Sequence, residues 1–433
     1  MKFEAFSRTK SVCPHCLRVL EAERAVGEDG CVYLLKRCPE HGEFSCLIWE
    51  GPLEEYLAWN TAPGGGNAPP VTVPAREGCP DDCGLCSAHE SAGCCVLLEL
   101  TKRCNLNCPV CFASAGGGEA GPTLEELAAL YDMLAARGGP FNIQLSGGEP
   151  TLRGDLPEIV ALGRERGFTF FQLNTNGLRL AEEEGFAARL RGAGVSCAFL
   201  QFDGLRDETH LALRGRALAK IKRRAIRNCA LAGLPVVLVP TLAPGVNVDE
   251  IGAILRFALE NAPHVRGVHF QPISYFGRCA LPAPERRLTI PRVLREIEAQ
   301  TEGLMRRADF AGGGAESPYC SFHASWRVNP DGSLRALGRR ASCCRSADAR
   351  DFVAGRWGAQ AAPDAGEDGF DRFLREAAES VFTVSGMVFQ DADTLDLERL
   401  RRCHICEADP GRGMVPFCAY NLTARDGRAL YRR

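Results

Sequence analysis

Residues 101–112 read TKRCNLNCPVCF and put three cysteines, Cys104, Cys108 and Cys111, on one short loop. Three thiolates at this spacing suit three irons of a [4Fe–4S] cluster, because soft sulfur ligands favour iron–sulfur chemistry. Three ligands rather than four leave one iron open to a small molecule, as in a catalytic metal site with a free position. The loop follows the apolar run VLLEL (96–100), and a long alternation begins there. Further strand-like runs are FNIQLS (141–146), FTFFQLNT (168–175), VSCAFLQF (195–202), PVVLVPT (235–241) and VRGVHFQPI (265–273). Helix-length segments lie between them near 123–137, 155–166, 180–192, 216–232 and 248–261, the first opening on a capping box of Thr123 and Glu126. Strands separated by helices predict βαβ units and a mostly parallel sheet. Six strands fit a partial TIM-like barrel of (β/α)6 type better than a complete eight-stranded one, although a doubly wound sheet shares the pattern.

Ligands of such folds gather at the carboxyl ends of the strands. Three polar stretches stand there: SGGEP (146–150), LNTNG (173–177) and LQFDG (200–204). The glycines of SGGEP permit close approach to a polar ligand. Asn176-Gly177 and Asp203-Gly204 also read as plain turn formers.

Cysteine is the outlier of the composition, with 22 among 433 residues, and it comes in tight Cys-x-x-Cys groups. In a long chain such groups read as metal or cluster ligands rather than disulfides, which implies a reducing compartment and oxygen sensitivity. The start, MKFEAFSRTK, carries no apolar targeting segment, and no apolar run approaches the roughly 20 residues that span a bilayer. A cytoplasmic protein is expected, with contact at a membrane surface left open. The net charge of −3 argues against nucleic acid as a partner.

Four regions follow. Residues 1–60 form a small metal-binding module, of zinc-ribbon or rubredoxin-like type, with Cys13, Cys16 and Cys38 as ligands. The fourth ligand is His41, which favours zinc, or Cys31 or Cys46, which would admit a mononuclear iron. Residues 61–95 join a Gly/Pro-rich linker to GCPDDCGLCSAHESAGC, where Cys79, Cys83, Cys86 and Cys94 suffice for an auxiliary [4Fe–4S] cluster or a structural zinc. Cys95 is the neighbouring alternative to Cys94, but consecutive side chains of an extended segment point oppositely. Residues 96–300 are the barrel. Residues 301–433 are a C-terminal auxiliary-cluster region, where Cys403 and Cys406 make a chelating pair that Cys418 with Cys320, Cys343 or Cys344 would complete. The plainer reading there is a zinc site or buried thiols. Cys197, Cys229 and Cys279 lie in apolar or helical patterns and read as small core residues.

The CxxxCxxC spacing, with Phe112 after it and SGGEP beyond, closely resembles the signature of the radical S-adenosylmethionine (SAM) superfamily. The order CPHC, CPEHG, GCPDDCGLC, Cys94 and the three-cysteine loop is similar to one branch of it, the archaeal tetraether lipid synthases and pterin dimethyltransferase-like proteins. The segments VPT (239–241), Gly245, Asn247 and FQP (270–272) extend the likeness. The resemblance implies a radical SAM barrel in which SAM binds the open iron and contacts Phe112, Ser146, Gly147, Gly148, Glu149 and Pro150, with Asn174 or Thr175 and Gln201 or Asp203 lining the SAM and substrate pocket. One electron then cleaves SAM to a 5′-deoxyadenosyl radical, which takes hydrogen from an unactivated sp3 carbon. Electrons would come from a ferredoxin or flavodoxin. The leading reaction implied is carbon–carbon coupling of lipid-like chains, reached by an apolar tunnel whose entrance is lined by residues 115–121 and the region of Phe276. Alternatives are radical methylation of a pterin or other small molecule, and peptide modification, for which no winged-helix pattern is evident. A non-catalytic zinc or electron-transfer protein leaves the three-cysteine loop and SGGEP without a purpose.

Overall fold

The computed structural model describes residues 1–60, 73–118, 120–284, 286–338, 346–358 and 377–432. Cys343, Cys344 and most of the linker lie outside them.

The N-terminal module is a four-stranded antiparallel meander: β1 (Phe3–Val12), β2 (Val19–Gly27), β3 (Val32–Cys38) and β4 (Gly42–Trp49), followed by α1 (Leu53–Trp59). The third carries the apolar run VYLL, whereas β1 and β2 interleave charged residues with apolar ones and lack a continuous apolar run.

The barrel strands occur where the alternation placed them: β5 (Cys95–Glu99), β7 (Asn142–Ser146), β8 (Phe171–Thr175), β9 (Cys197–Gln201), β10 (Val236–Val239) with β11 (Thr241–Leu242), and β12 (Val265–Pro272). A short β6 (Val110–Cys111) lies within the cysteine loop. The intervening helices are α2 (Leu124–Ala136), α3 (Leu156–Arg164), α4 (Leu178–Glu182), α5 (Phe186–Ala193), α6 (Asp207–Arg214), α7 (Ala219–Leu231) and α8 (Ile251–Glu260). The capping box of α2 forms, with Thr123 Oγ1 accepting from Glu126 N at 3.1 Å and Glu126 Oε2 accepting from Thr123 N at 2.7 Å.

After β13 (Arg278–Cys279) and α9 (Ile290–Gln300) come β14 (Ser321–Val328), β15 (Leu334–Ala336), α10 (Ser346–Trp357), β16 (Val381–Met387), α11 (Leu397–Arg401), β17 (Ile405–Asp409), β18 (Gly413–Pro416) and α12 (Phe417–Tyr420). The stretch from 301 onward, read from sequence as a cluster region, supplies both edges of the barrel sheet. Strand β16 runs parallel beside β12 and β17 parallel beside β5, giving the order β15-β14-β16-β12-β10-β9-β8-β7-β5-β17-β18. The result is a large mixed sheet resembling a partial barrel. A continuous hydrophobic core, including Val96, Ile143, Leu173, Leu200, Leu238 and Val268, joins the sheet to its helices. Among the described residues, no helix is long and apolar enough to cross a membrane.

Candidate functional site

The carboxyl ends of the barrel strands open into a cavity of about 230 Å³. Cys104, Cys108 and Cys111 all line it, and among the described residues no fourth cysteine stands in its wall. That donor set fits a cluster held at three corners and open at the fourth. Burial pushes the Cys104 thiol up to about 11 and raises Cys108 as well, so bound iron rather than solvent must favour their thiolates.

The SGGEP loop is built against the cysteine loop. Gly148 N donates to Thr101 O (2.6 Å) and Glu149 N to Arg103 O (2.8 Å). A Cβ on Gly147 would stand 2.4 Å from Thr101 O, and one on Gly148 2.1 Å from Arg103 O. The glycines therefore allow two backbones to meet, a closer constraint than the approach to a ligand read from sequence. Glu149 is buried and accepts from Thr151 N (3.2 Å), Thr175 Oγ1 (2.7 Å) and Asn176 N (2.7 Å). Its carboxyl, raised by burial despite these bonds, ties the loop after β7 to the end of β8. Asn176 then reaches Asn105 Oδ1 through Nδ2 (2.7 Å), which extends the tie to the cysteine loop.

Of the expected SAM and substrate residues, Phe112, Ser146, Gly147, Gly148, Glu149, Asn174, Thr175 and Gln201 line the cavity. Pro150 starts a short 3-10 turn and is not in the wall. Asp203 is also absent from it, because its carboxylate grips Arg214: Nε to Oδ2 at 2.7 Å and Nη2 to Oδ1 at 2.6 Å. Against the upward push of full burial, the Arg214 charge holds Asp203 below the ordinary carboxylate range. Arg214 takes the wall position instead and also donates to Val110 O (2.8 Å) and Thr241 Oγ1 (2.8 Å).

Sequence reading missed Gln144, Gln172, Thr241, His269 and Gln271, which face the cavity with Arg214. For the strand residues the signal was present. Strand periodicity carries the inward face two residues back from each strand end, giving 144 with 146, 172 with 174, and 269 with 271. Arg214 lies on α6, a helix too short to stand out from its sequence. An aromatic wall closes the other side, with Phe417 centred 5.5 Å from Phe112, 6.1 Å from Phe276 and 4.5 Å from Phe389. Phe276 thus stands buried in the cavity wall, while the described residues of 115–121, expected with it at an entrance, do not line the cavity.

In the N-terminal module the ligating atoms of Cys13, Cys16, Cys38 and His41 all lie within 4.8 Å of one another. The Cys16 and Cys38 sulfurs are 3.9 Å apart, and His41 Nδ1 lies 3.6 Å from Cys13 and 3.4 Å from Cys38. Three thiolates and an imidazole suit tetrahedral zinc. Cys31, beside Arg286 (3.4 Å), and Cys46, turned to Leu47 O (3.9 Å), stand outside the set.

The remaining cysteines fall into groups that differ from the expected ones. Cys79 and Cys83 are neighbours that shift each other's titration, and Cys86 is an electrostatic neighbour of Cys83. The Cys94 sulfur is 3.5 Å from Cys95 Sγ, in an apolar cluster with Ala315 and Ala349. Residue 94 is a bend rather than extended chain, which overrides the expectation that the two side chains diverge. It is pinned there by Cys94 N to His404 O (2.7 Å) and Asn142 N to Cys94 O (3.1 Å). Cys403, Cys418 and Cys320 interact with one another, while Cys406 is a strand residue of the main core. Helix α11 stands between the two thiol groups. Its Arg399 reaches Cys320 Sγ at 3.4 Å, and Arg401 is an electrostatic neighbour of Cys79. The buried Arg399 Nε, Arg401 Nε and Arg402 Nη2 have no hydrogen-bond partner among the described residues. Orphaned N–H donors beside clustered thiols fit the sulfides of iron–sulfur clusters as acceptors.

Comparison with known proteins agrees with this geometry. Residues 98–258 match the model described as the radical SAM superfamily, and residues 5–50 that of the HMPTM N-terminal zinc ribbon domain. The chain is 33% identical to 7,8-dihydro-6-hydroxymethylpterin dimethyltransferase of Methanocaldococcus jannaschii, over 96% of this chain and 94% of that one. The chain belongs to the radical SAM superfamily. This radical SAM enzyme is also 38% identical to Fe-coproporphyrin III synthase of Methanosarcina barkeri, over 42% of its own length and 45% of the relative's. Among solved structures it is similar to SuiB of Streptococcus suis bound to its precursor peptide SuiA, with a TM-score of 0.42 and 14% identity over 49% of this chain and 46% of that one. When bound, the cluster and SAM supply the 5′-deoxyadenosyl radical that defines the superfamily's chemistry.

Proposed function

We propose that this radical SAM enzyme methylates a pterin or a closely similar small heterocycle. The observation that carries the reading is the inner wall of the cavity. Gln144, Gln172, Asn174, Gln201 and Gln271 place carboxamides where an aliphatic chain would need apolar contact. Gln144, Gln172 and Asn174 bond one another and Gln201 faces Arg214, so the carboxamide left for a bound molecule is that of Gln271; burying it against hydrocarbon would leave it unpaired, at a cost of about 1–3 kcal/mol. A flat heterocycle with ring nitrogens and carbonyls would satisfy it and match the polar character of the rest of this wall. The near full-length similarity to a pterin dimethyltransferase supports the same reading. The coupling of lipid-like chains, the leading reaction inferred from the sequence, finds less support in this wall than the methylation alternative.

Within this reading the chain's residues divide the work. Cys104, Cys108 and Cys111 hold the radical SAM cluster. Ser146, Gly147, Gly148 and Glu149 shape the SAM side of the cavity, Glu149 by fixing the loop rather than by donating into it. Cys13, Cys16, Cys38 and His41 hold zinc. Cys79, Cys83 and Cys86, and separately Cys320, Cys403 and Cys418, serve auxiliary clusters, with a ferredoxin or flavodoxin as electron donor.

The test is an anaerobic assay with reductant, methyl-labelled SAM and 7,8-dihydro-6-hydroxymethylpterin. The expected result is label in the pterin, with 5′-deoxyadenosine formed and two SAM consumed per methyl transferred. A pterin left unlabelled under conditions that cleave SAM would overturn the proposal.

A further inference from the structure

Inward positions alternate along each barrel strand and therefore form layers. The layer beneath the strand ends contains Gln144, Gln172 and His269, where barrels of this kind commonly carry branched apolar side chains. Part of the polar surface is locked by itself. Gln172 Nε2 donates to Asn174 Oδ1 (2.7 Å), and Asn174 Nδ2 donates to Gln144 Oε1 (3.2 Å). These amides hold one another across adjacent strands.

The opposite side is not locked. Gln271 lines the cavity, and its carboxamide has no partner among the described residues. His269, two residues back on β12, bonds through Nδ1 to Ser385 Oγ at 2.8 Å, and its Nε2 has no partner among the described residues. Burial lowers the His269 pKa to about 4, so the ring is neutral near pH 7. Its ring centre lies 5.8 Å from that of Phe199, another wall residue. One strand thus offers a free carboxamide and a free neutral imidazole nitrogen, fixed by sheet register, beside an aromatic face.

We propose that Gln271 and His269 are specificity-determining residues that read the hydrogen-bonding edge of a flat, neutral heterocyclic substrate. A carboxamide donates and accepts in one plane, which matches a lactam or aminopyrimidine edge. The imidazole nitrogen adds a third point, and Phe199 supplies an apolar surface for the ring. A site built this way rejects analogues that lack the edge, because its own buried polar groups are then left unpaired. This assignment rests on the pterin reading and names the groups that would carry it.

The experiment measures equilibrium binding of 7,8-dihydro-6-hydroxymethylpterin, and KM with kcat, for the cluster-loaded wild type, Gln271→Leu, His269→Phe and His269→Gln. Iron and sulfide content checks that each variant is assembled. The expected result is binding weakened about tenfold or more in Gln271→Leu and His269→Phe, expressed mainly in KM, with His269→Gln retaining much of the affinity. A 2-hydroxymethylnaphthalene probe, which has the ring shape without the edge, should bind Gln271→Leu and His269→Phe at least as tightly as wild type, because these variants leave no polar group unpaired against it. If wild type binds the pterin and both apolar variants bind it equally well, the assignment of these residues is overturned and the pterin reading stands. If assembled wild type does not bind the pterin, the reading itself fails and the assignment with it.

Discussion

Arg278 donates from Nε to the backbone carbonyl of Cys108 at 2.8 Å, and from Nη2 to Ala115 O at 2.9 Å. The strand that carries it, β13, pairs antiparallel with β6, so Arg278 lies opposite Cys111 and Cys279 opposite Val110. The loop that presents the three thiols is therefore held from outside the barrel by a strap that follows β12. The strap takes up the carbonyls of Cys108, Pro109 and Ala115, while Arg214 takes that of Val110.

Replacing Arg278 with Ala should loosen this hold. Two buried or half-buried carbonyls lose a charged donor, a loss of about 1–3 kcal/mol. The expected outcome is cluster loss from Cys104, Cys108 and Cys111 that is faster by about tenfold, followed by iron and sulfide content after anaerobic desalting. Arg278→Lys should fall between the two, because it keeps the charge and loses the forked geometry. Equal retention in Ala and wild type would show that the strap is only a neighbour of the loop.

The strap is tied in turn to the zinc module. Gly277 N donates to Thr423 Oγ1 (3.1 Å), and two residues on, Arg425 N donates to Pro14 O (2.9 Å), between Cys13 and Cys16. Arg428 adds a bond to His15 O at 3.2 Å. Losing the metal from the module should therefore be felt at the strap. In Cys13→Ala and His41→Ala, zinc content should fall to near zero, and amide exchange at Gly277 and Arg425 should accelerate about tenfold or more. Exchange in β8, within the main core, should not change. Acceleration spread evenly over the barrel would instead indicate general destabilisation.

Arg399 bears on the proposed auxiliary centres. It is half-buried beside Cys320 with its Nε inside, and although burial disfavours its charge, the neighbouring thiol groups and Asp396 raise its pKa. A fixed positive charge next to a cluster favours the reduced, more negative state. Arg399→Met should move the potential of one auxiliary centre to more negative values without displacing the radical SAM cluster's signal. A redox titration monitored by electron paramagnetic resonance reads both. An unshifted set of potentials would remove Arg399 from any electronic role.

How much of this was legible in the chain depends on the physics that placed each residue. The six barrel strands were readable because each is an apolar run with helix-length spacing, and the cysteine loop because covalent spacing alone fixes its geometry. The parallel pairings of β16 and β17 with the barrel were not, since they join residues more than a hundred positions apart in sequence. The closeness of Cys94 to Cys95 shows the same limit at short range. Extended chain would point the two side chains apart, but the carbonyl of His404 and the amide of Asn142 hold residue 94 in a bend at the start of β5. His41 could not be separated from Cys31 and Cys46 until the β3–β4 register brought it back to Cys38. Asp203 was read as a pocket residue from its strand-end position, and only the placement of Arg214 on α6 explains why it turns away.

The neutral state of His269 carries a pH dependence whose sign can be worked out. Burial lowers its pKa in the folded chain to about 4 from an ordinary value of 6.5. Between those values the unfolded chain binds more protons, so the folded state gains stability as pH rises through the window. The contribution is fully present above pH 6.5 and is lost as pH falls through 4. Wild type should lose about 2 kcal/mol more than His269→Phe when pH is lowered from 7 to 5, whatever the variant's stability at pH 7. Urea denaturation of both proteins at the two pH values measures the difference directly. Parallel losses would mean that the imidazole takes up its proton in place, and a charged ring there would no longer suit the neutral edge that Gln271 and His269 are proposed to read.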